Sequence, residues 1–323
     1  MADTTNGAVD GAPRRRGITV PESAALTLFL ALEVIFFSLN SPYFLTWANW
    51  VNIFTAMSIA GILAAGGTIL LIGGQFDLSV GSGMAFVALM FAIAAESFGV
   101  GPGIAVAVLT GLGIGVINGF FVTVVGVNPL ITTLGTLAIF RGLTLSIGGA
   151  SSVRVTGFDW AIQRPFLDIP LSTMLFVAVA VVVGLLLART VYGRTIYAIG
   201  ANETAARLVG IRTRRTIFTA FLISGLCMAL TGMVSASQLG STSGTTGVGL
   251  ELAVVTAIIL GGTTLKGGVG SMFGTVLGLL IVGVLNNGLT LMNVNSTWQQ
   301  VAAGTLLILA VSFDQVRQRF IKG

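Results

Sequence analysis

Long apolar runs limit what this chain of 323 residues can fold into. Several runs exceed the ~18 residues that mark a membrane-spanning helix, because about 20 residues at 1.5 Å rise cross a hydrocarbon core of about 30 Å. Charged residues make up only 8% of the sequence, whereas a soluble domain has about 25%. Such a chain cannot cover a surface that faces water. The sequence therefore predicts an all-α integral membrane protein in contact with lipid.

Glycine, proline, asparagine or charged residues bound the apolar runs. The runs place ten transmembrane helices, at residues 24–40, 50–73, 79–97, 101–125, 129–148, 172–189, 216–238, 251–264, 271–291 and 298–314. The eighth run is short for a full crossing, and as a tilted or re-entrant segment it needs its backbone buried in protein. Residues 23–315 then form the transmembrane domain, between a disordered tail at 1–22 and a basic tail at 316–323.

Basic residues indicate the orientation, because loops that carry Lys and Arg stay in the cytoplasm. With ten spans and an inside N-terminus, thirteen of the 16 basic residues lie on the inner side or at its border: Arg14, Arg15, Arg16, Arg189, Arg194, Arg207, Arg212, Arg214, Arg215, Lys266, Arg317, Arg319 and Lys322. Arg154 and Arg164 lie outside, and Arg141 lies within a span. Both termini are therefore predicted to be cytoplasmic. Omitting the eighth run would export the basic tail, so we expect that run to cross.

The residue types exclude several classes of function. Cys227 is the single cysteine and histidine is absent, which removes disulfide frameworks, imidazole metal sites and ordinary proton shuttles. A membrane enzyme would need a nucleophile with a base or a metal cluster, and neither is visible, so we predict no catalytic residue, metal or cofactor on this chain. Residues 261–266 lack the phosphate-loop pattern Gly-x-x-x-x-Gly-Lys-Ser/Thr, so ATP hydrolysis is expected elsewhere. Nucleic-acid binding is not expected, because basic residues occur only in short loops.

The predicted cytoplasmic loop 190–215 is the most informative segment. Asn202 is a good N-cap, Glu203 lies in the first turn where the helix dipole favours an acid, and Gly210 can take the left-handed conformation that ends a helix. A short helix that protrudes from the membrane is therefore predicted, and a small-residue face could dock into a groove on a soluble partner. The alternative is a solvated loop with one helical turn. The predicted face consists of Ala205, Leu208 and Val209, with Arg207 beside them.

Three ionisable residues lie in or next to predicted spans. Asp77 follows two glycines before the third span, and we expect it to cap that helix, with proton coupling as the alternative. Glu33 and Arg141 lie deepest, where a charge is costly unless it faces a cavity or a partner. Both are candidates for a translocation pathway. The alternatives are a polar contact between helices for Glu33 and a snorkelling side chain for Arg141.

Uncharged polar side chains near the spans suit a neutral, polyhydroxylated solute. Asn118, Gln299 and Gln300 can form neutral hydrogen bonds, and Trp298 offers a flat apolar face for a sugar ring. Packing between helices is the alternative use of these amides. Together with Glu33 and Arg141, these four residues are the candidate pathway residues.

Residues 202–210 resemble the Glu-Ala-Ala loop by which permeases of ATP-binding-cassette importers grip their ATPase subunits. Glu203, Ala205, Ala206 and Gly210 match that pattern, and Thr204 occupies an extra position typical of the ribose-type subgroup. The other stretches similar to that subgroup are residues 73–82 (with Asp77, Ser79 and Gly81), 118–119, 129–136, 141–142, 261–263, 267–271, 285–288 and 298–300. The resemblance covers roughly residues 50–314. Gln75 is an insertion in the expected Gly-Gly-Ile-Asp-Leu-Ser form.

The resemblance implies a permease domain in a bacterial inner membrane. It implies two permease copies, an ATPase subunit that holds ATP and Mg²⁺, and an extracytoplasmic binding protein that delivers a small neutral sugar or polyol. The residues that the resemblance and the helix pattern assign to ATPase coupling are Asn202, Glu203, Ala205, Ala206, Arg207 and Gly210.

Two rival functions stay open. A branched-chain amino acid permease would need partners for a carboxylate and an ammonium group, which this chain could hold only weakly. A secondary transporter would need buried ion-coupling residues, and the sequence shows few.

Overall fold

The computed structural model describes residues 22–149 and 152–295, together with 297–299, 301–302, 304–306 and 308. The described part is mainly helical. Its helices are α1 Glu22–Asn40, α2 Trp47–Ile72, α3 Val80–Phe98, α4 Val100–Phe120, α5 Pro129–Gly148, α6 Leu171–Arg189, α7 Val191–Ala201, α8 Glu203–Leu208, α9 Thr213–Leu239, α10 Leu250–Leu260 and α11 Met272–Leu291. The predicted tails lie outside the described residues, except that α1 begins at Glu22. Gln300 lies outside them too.

Seven of these helices are long and apolar enough to cross a membrane: α2, α3, α4 with a π-helical turn at Phe121–Val125, α5, α6, α9 and α11. The prediction of a helical membrane protein is therefore confirmed. The apolar part of α1, Leu26–Asn40, and α10 are shorter. The number of ten spans and the cytoplasmic position of both termini stay predictions.

The most buried spans form the centre of the bundle. The apolar windows of α2, α3 and α9 are 72%, 67% and 67% buried, whereas those of α4, α5 and α6 are 28% buried. Glycines allow α4 and α9 to approach closely, because a Cβ added at Gly115 would lie 2.6 Å from the carbonyl oxygen of Phe221. Close contact at small residues is how helices associate in lipid, where burial of apolar surface contributes little. The outer helices therefore present their apolar faces to lipid or to another subunit.

The bundle has two ends, which we name by what lies there. At the strand end, β1 (Val153–Arg154) pairs antiparallel with β2 (Ser241–Thr242), and the Trp47 indole donates a hydrogen bond to the carbonyl of Leu167. At the α8 end, α2 finishes at Ile72 and the backbone N–H of Gly268 donates to the Ile72 carbonyl at 2.7 Å.

Two helices end at the α8 end with the same glycine turn. Gly74 after α2 has φ +73° and Gly262 after α10 has φ +88°, a conformation that glycine adopts without strain. Each turn is followed by an irregular stretch and a new helix, α3 or α11. The Thr68 and Thr275 hydroxyls of the two units lie 2.8 Å apart.

The predicted eighth span, residues 251–264, contains only the short helix α10, which follows an irregular segment. Residues 243–249 leave β2 without regular structure, and α10 has only 11 residues. At 1.5 Å per residue the helix is about 16 Å long, roughly half of the hydrocarbon thickness. The chain from β2 to the end of α10 therefore consists of an irregular half and a helical half. We call residues 243–249 the 243–249 segment.

Candidate functional site

The segment that precedes α9 forms the predicted short helix at the α8 end. The side chain of Asn202 accepts a hydrogen bond from the Ala205 backbone N–H at 2.9 Å, which caps α8 at its N-terminus. Gly210 has φ +86° and ends the helix. The helix and both of its end residues are confirmed.

The expected face of α8, which consists of Ala205, Leu208 and Val209, is exposed, but Ala206, which the resemblance assigned to coupling, is not. Leu208 and Val209 are 84% and 77% exposed, whereas Ala206 is 4% exposed. Ala206 packs in a cluster with buried residues of α2 and α9, so it supports the position of α8 and is not open to a partner in this structure. Arg207 pairs with Glu203 on the surface, and an exposed pair of this kind contributes little to stability.

The helix α7, which was not predicted, connects α8 to the ends of two spans. The Tyr197 hydroxyl donates to the Gly270 carbonyl at 2.8 Å, and burial raises the pKa of the Tyr197 phenol, so the donor stays protonated. A Cβ at Gly200 would collide with the carbonyl oxygen of Ile72 and with the N–H of Gly268. A displacement of α7 and α8 would therefore press directly on the turns after α2 and α10.

A chain of buried hydrogen bonds links three spans to the loop between α2 and α3. The Thr136 hydroxyl donates to the side-chain oxygen Oδ1 of Asn118 at 2.8 Å. The side-chain nitrogen Nδ2 of Asn118 donates to the Ser79 hydroxyl at 2.9 Å. The Ser79 hydroxyl in turn donates to Asp77 Oδ1 at 2.5 Å. From α9, the Ser224 hydroxyl donates to Asp77 Oδ2 at 2.9 Å. The hydrogen bonds therefore end at the Asp77 carboxylate, which accepts at both of its oxygens.

This chain of hydrogen bonds contains three residues that the sequence had singled out, Asp77, Ser79 and Asn118. Asp77 was expected to cap α3, but the N-cap of α3 is Ser79, which makes no capping side-chain bond. Asp77 accepts instead from the Ser79 N–H and hydroxyl. Asn118 is fully buried between α3 and α5. Thr136 and Ser224 were missed, because nothing in their local sequence indicates a partner on another helix.

Arg141 lies inside α5 and bonds to backbone of the 243–249 segment. Its Nη1 donates to the carbonyl oxygens of Gly244 and Thr246, at 2.8 and 2.7 Å. Glu251, in the first turn of α10, accepts from the Gly249 N–H at 3.2 Å. Arg141 therefore binds the protein interior and does not snorkel. Glu251 was missed, although an acid inside the apolar eighth run was a visible signal.

The other candidate pathway residues lie elsewhere. Glu33 on α1 has a buried Oε2 without a hydrogen-bond partner among the described residues. Trp298 is 66% exposed, and the Gln299 amide donates to the Thr290 hydroxyl and the Val294 carbonyl near the end of α11. Within the described ranges, no hydrogen bond or ion pair joins Glu33, Arg141 and Gln299.

A cavity of about 340 Å³ opens beside α8. It lies between the π-helical end of α4, the loop before α3 and the start of α9. Its lining side chains include Gln75, Glu203, Arg207 and Arg214.

The sequence matches known proteins along most of its length. Residues 49–311 match the protein family described as branched-chain amino acid transport system / permease component. The chain is 39% identical over 295 residues to the D-allose transport system permease protein AlsC of Escherichia coli (strain K12), with 88% of this chain and 89% of that protein covered. It is 37% identical over 296 residues to the ribose import permease protein RbsC of Bacillus subtilis (strain 168), with 89% and 91% covered.

A third relative is the L-arabinose transport system permease protein AraH of Escherichia coli (strain K12). It is 38% identical over 283 residues, with 86% of both chains covered. No solved structure gives a significant match.

Proposed function

We propose a function from the premise that this chain belongs to the family described as branched-chain amino acid transport system / permease component. It is a multi-pass membrane protein and the permease subunit of an ATP-binding-cassette importer. Its relatives are named for transport of D-allose, ribose and L-arabinose. The solute that we propose for this chain is accordingly a small neutral sugar or polyol, delivered by an extracytoplasmic binding protein.

The observation that carries the ATPase-coupling part of the proposal is the surface of α8. Leu208 and Val209 are apolar and largely exposed on a helix of six residues, which cannot be stable alone in water. The packing of Ala206 and the cap at Asn202 hold α8 in place, which leaves the two apolar side chains free for a partner. An ATPase subunit that carries ATP and Mg²⁺ would bind there. The α8 end would then be cytoplasmic and the strand end would receive the solute.

The contacts of α7 support a route by which ATP closure changes access to the pathway. ATPase movement displaces α8, and α7 transmits the displacement to Gly268 and Gly270 through the contacts of Gly200 and Tyr197. These residues precede α11 and follow α10, so the turn between the two helices moves with α7. The two states differ in free energy because the ATPases contact α8 differently with and without ATP. We propose two permease copies in the complete importer.

The polar groups of the interior favour a neutral solute over an amino acid. A branched-chain amino acid brings a carboxylate and an ammonium group, each of which needs a partner away from water. In the described part of the chain, the Asp77 carboxylate already accepts from Ser79 and Ser224, so it is not open to an ammonium group. The remaining interior polar groups are mostly hydroxyls and amides, which suit a sugar.

The experiment that tests ATPase coupling replaces an exposed apolar side chain of α8. In Leu208→Asp we expect a normal membrane level but at least an about tenfold loss of co-purified ATPase, because a lost contact of about 1.4 kcal/mol changes binding tenfold. Uptake of D-ribose, D-allose and L-arabinose should fall with it.

The matched control is Leu167→Asp at the strand end, where the leucine is 60% exposed. This variant should retain its ATPase. A Leu208→Asp permease that binds the ATPase as well as the control does would refute the docking role of α8.

A further inference from the structure

The 243–249 segment lies at membrane depth. Arg141, which holds it, is 12 residues after Pro129 at the start of α5, or about 18 Å along a helix that is about 30 Å long. A Cβ at Gly244 would collide with the Leu145 side chain, one turn further along α5. The segment therefore enters the bundle from β2 and passes Arg141 on its way inward.

The lower end of the segment lies deeper still. A Cβ at Gly247 would lie 2.8 Å from the carbonyl oxygen of Gly81, in the first turn of α3. The hydrogen-bond chain through Ser79 and Asn118 places the start of α3 level with Thr136, seven residues or about 10 Å along α5. The 243–249 segment thus occupies the middle of the bundle, roughly between 10 and 24 Å along α5.

One side of the segment is exposed at that depth. Thr245 and Gly249 are exposed, and the Val248 side chain is 66% exposed. Irregular backbone at membrane depth occurs only where it is buried in protein or lines a water-filled cavity. Exposure to lipid is therefore excluded for this side of the segment.

The charges beside the segment are only partly satisfied. Both described hydrogen bonds of the Arg141 guanidinium leave from Nη1, which leaves Nε and Nη2 without described partners. Glu251 Oε2 is buried against Gly81 and has no hydrogen-bond partner among the described residues. Arg141 and Glu251 attract each other, yet the ion pair Glu203–Arg207 is the only one within 4.0 Å in the described part of the chain. A charged donor and a charged acceptor therefore stand close together without direct contact.

We propose that the 243–249 segment lines the solute pathway and that Arg141 and Glu251 form a site there for the hydroxyl groups of a polyol. A sugar hydroxyl can accept from the guanidinium and donate to the carboxylate, so it supplies the partners that both groups lack. The Thr245 hydroxyl lies on the exposed side of the same segment. A neutral solute fits the site because the two opposite charges are already balanced. This proposal rests on the importer function and specifies where its solute binds.

The first test measures access of water to the segment. Val248→Cys and Thr245→Cys are made in a Cys227→Ser permease, and the complete importer is treated with a charged methanethiosulfonate in intact cells and in inside-out vesicles. Thiols react as thiolates, which form in water and not in lipid. We expect both positions to react, from one side or the other.

Val182→Cys is the matched control. Val182 is 61% exposed and lies in the middle of α6, whose apolar window is 28% buried. The reaction at position 248 should be at least about tenfold faster than at position 182. Equal, slow reaction at positions 248, 245 and 182 would show that a subunit covers the segment, and would overturn the proposal.

The second test separates solute contact from folding. Glu251→Gln keeps an oxygen that can accept from the Gly249 N–H but loses the charge, and Arg141→Met loses every donor. For uptake of D-ribose, D-allose and L-arabinose we expect an at least about tenfold rise in KM, because each variant removes a charged hydrogen bond to the solute.

Bound ATPase should stay unchanged, which distinguishes this failure from loss of coupling at Leu208. Arg154→Met, on the strand end, is the control for loss of an arginine. If Arg141→Met does not reach the membrane, the KM of Glu251→Gln decides. Unchanged KM in the variants that assemble would overturn the site.

Discussion

The amide nitrogen of Asn118 on α4 lies 2.9 Å from the hydroxyl oxygen of Ser79, the residue directly before α3. This bond is the central link in the buried chain that ends at Asp77. Asn118→Asp keeps the shape but loses the donor and adds a charge, so we expect about 1–3 kcal/mol of destabilisation or more. Thr136→Val removes only the outermost donor and should cost about 1 kcal/mol. The thermal midpoint of the purified permease in detergent checks the order. Equal midpoints for parent and Asn118→Asp would contradict the buried chain.

Two glycines of α4 allow the effect of close helix packing on stability to be measured separately from the effect of helix propensity. At Gly115 a Cβ would meet the Phe221 carbonyl at 2.6 Å, whereas at Gly113 nothing lies within 4 Å. Gly115→Ala should therefore lower stability by about 1–3 kcal/mol through overpacking. Gly113→Ala should be neutral or stabilising by up to about 1 kcal/mol, because alanine favours a helix. The same thermal midpoint measures both, and similar shifts in one direction would contradict the close approach of α4 and α9.

Orientation can be tested with thiol reporters in the Cys227→Ser permease. Asn6→Cys and Phe320→Cys should be shielded from an impermeant reagent in intact cells, because the basic residues at 14–16 and 317–322 favour the cytoplasm. Arg164→Cys, which is exposed at the strand end, should react. Labelling at position 320 in sealed cells would refute the ten-span arrangement.

Glu33 carries a buried carboxylate oxygen without a described partner, and such a group within a span normally serves a pathway or a partner. We expect Glu33→Gln to reduce uptake at a normal membrane level. Glu96→Gln, which alters an exposed acid at the end of α3, is the control. Uptake equal to that of the control would assign Glu33 to contacts between helices.

Trp298 and Gln300 stay candidates for contact with the arriving solute. Trp298→Ala and Gln300→Ala should reduce uptake without loss of bound ATPase, because an exposed indole face can pack on a sugar ring. The control is Gln163→Ala, an exposed glutamine at the strand end. If both variants transport at the rate of the control, the two side chains have no role in the pathway.

The helices could be predicted from the sequence because lipid imposes length and composition on each span separately. The fifth span was predicted at 129–148, and α5 is Pro129–Gly148. The short helix α8 was predicted from its cap and its terminal glycine, which are local signals. The 11 residues of α7 were missed, because they lie in the predicted cytoplasmic loop 190–215, where only the short helix α8 was expected.

Contacts between distant segments could not be predicted in the same way. The resemblance assigned Ala206 to ATPase coupling, yet this side chain is buried in a cluster with residues of α2 and α9. Asp77 looked like a helix cap, yet Ser224, 147 residues later, supplies one of its donors. Arg141 was recognised as a costly charge within a span, but the carbonyls that it binds, those of Gly244 and Thr246, belong to the connection between the predicted seventh and eighth spans, about 100 residues later in the sequence.

The hydrogen bonds that converge on Asp77 divide the molecule mechanically. They fasten α4, α5 and α9 to the loop before α3, and a relative shift of about 1 Å between these helices would lengthen several of the bonds beyond useful range. The helices α3, α4, α5 and α9 should therefore move as one block during transport. The moving parts would then be α7, α10 and α11, which meet one another and the end of α2 at backbone contacts of Gly200, Gly268 and Gly274. Such contacts resist compression, but they oppose sliding of one helix along another only weakly. Transport would then combine a rigid block of four helices with three helices that slide.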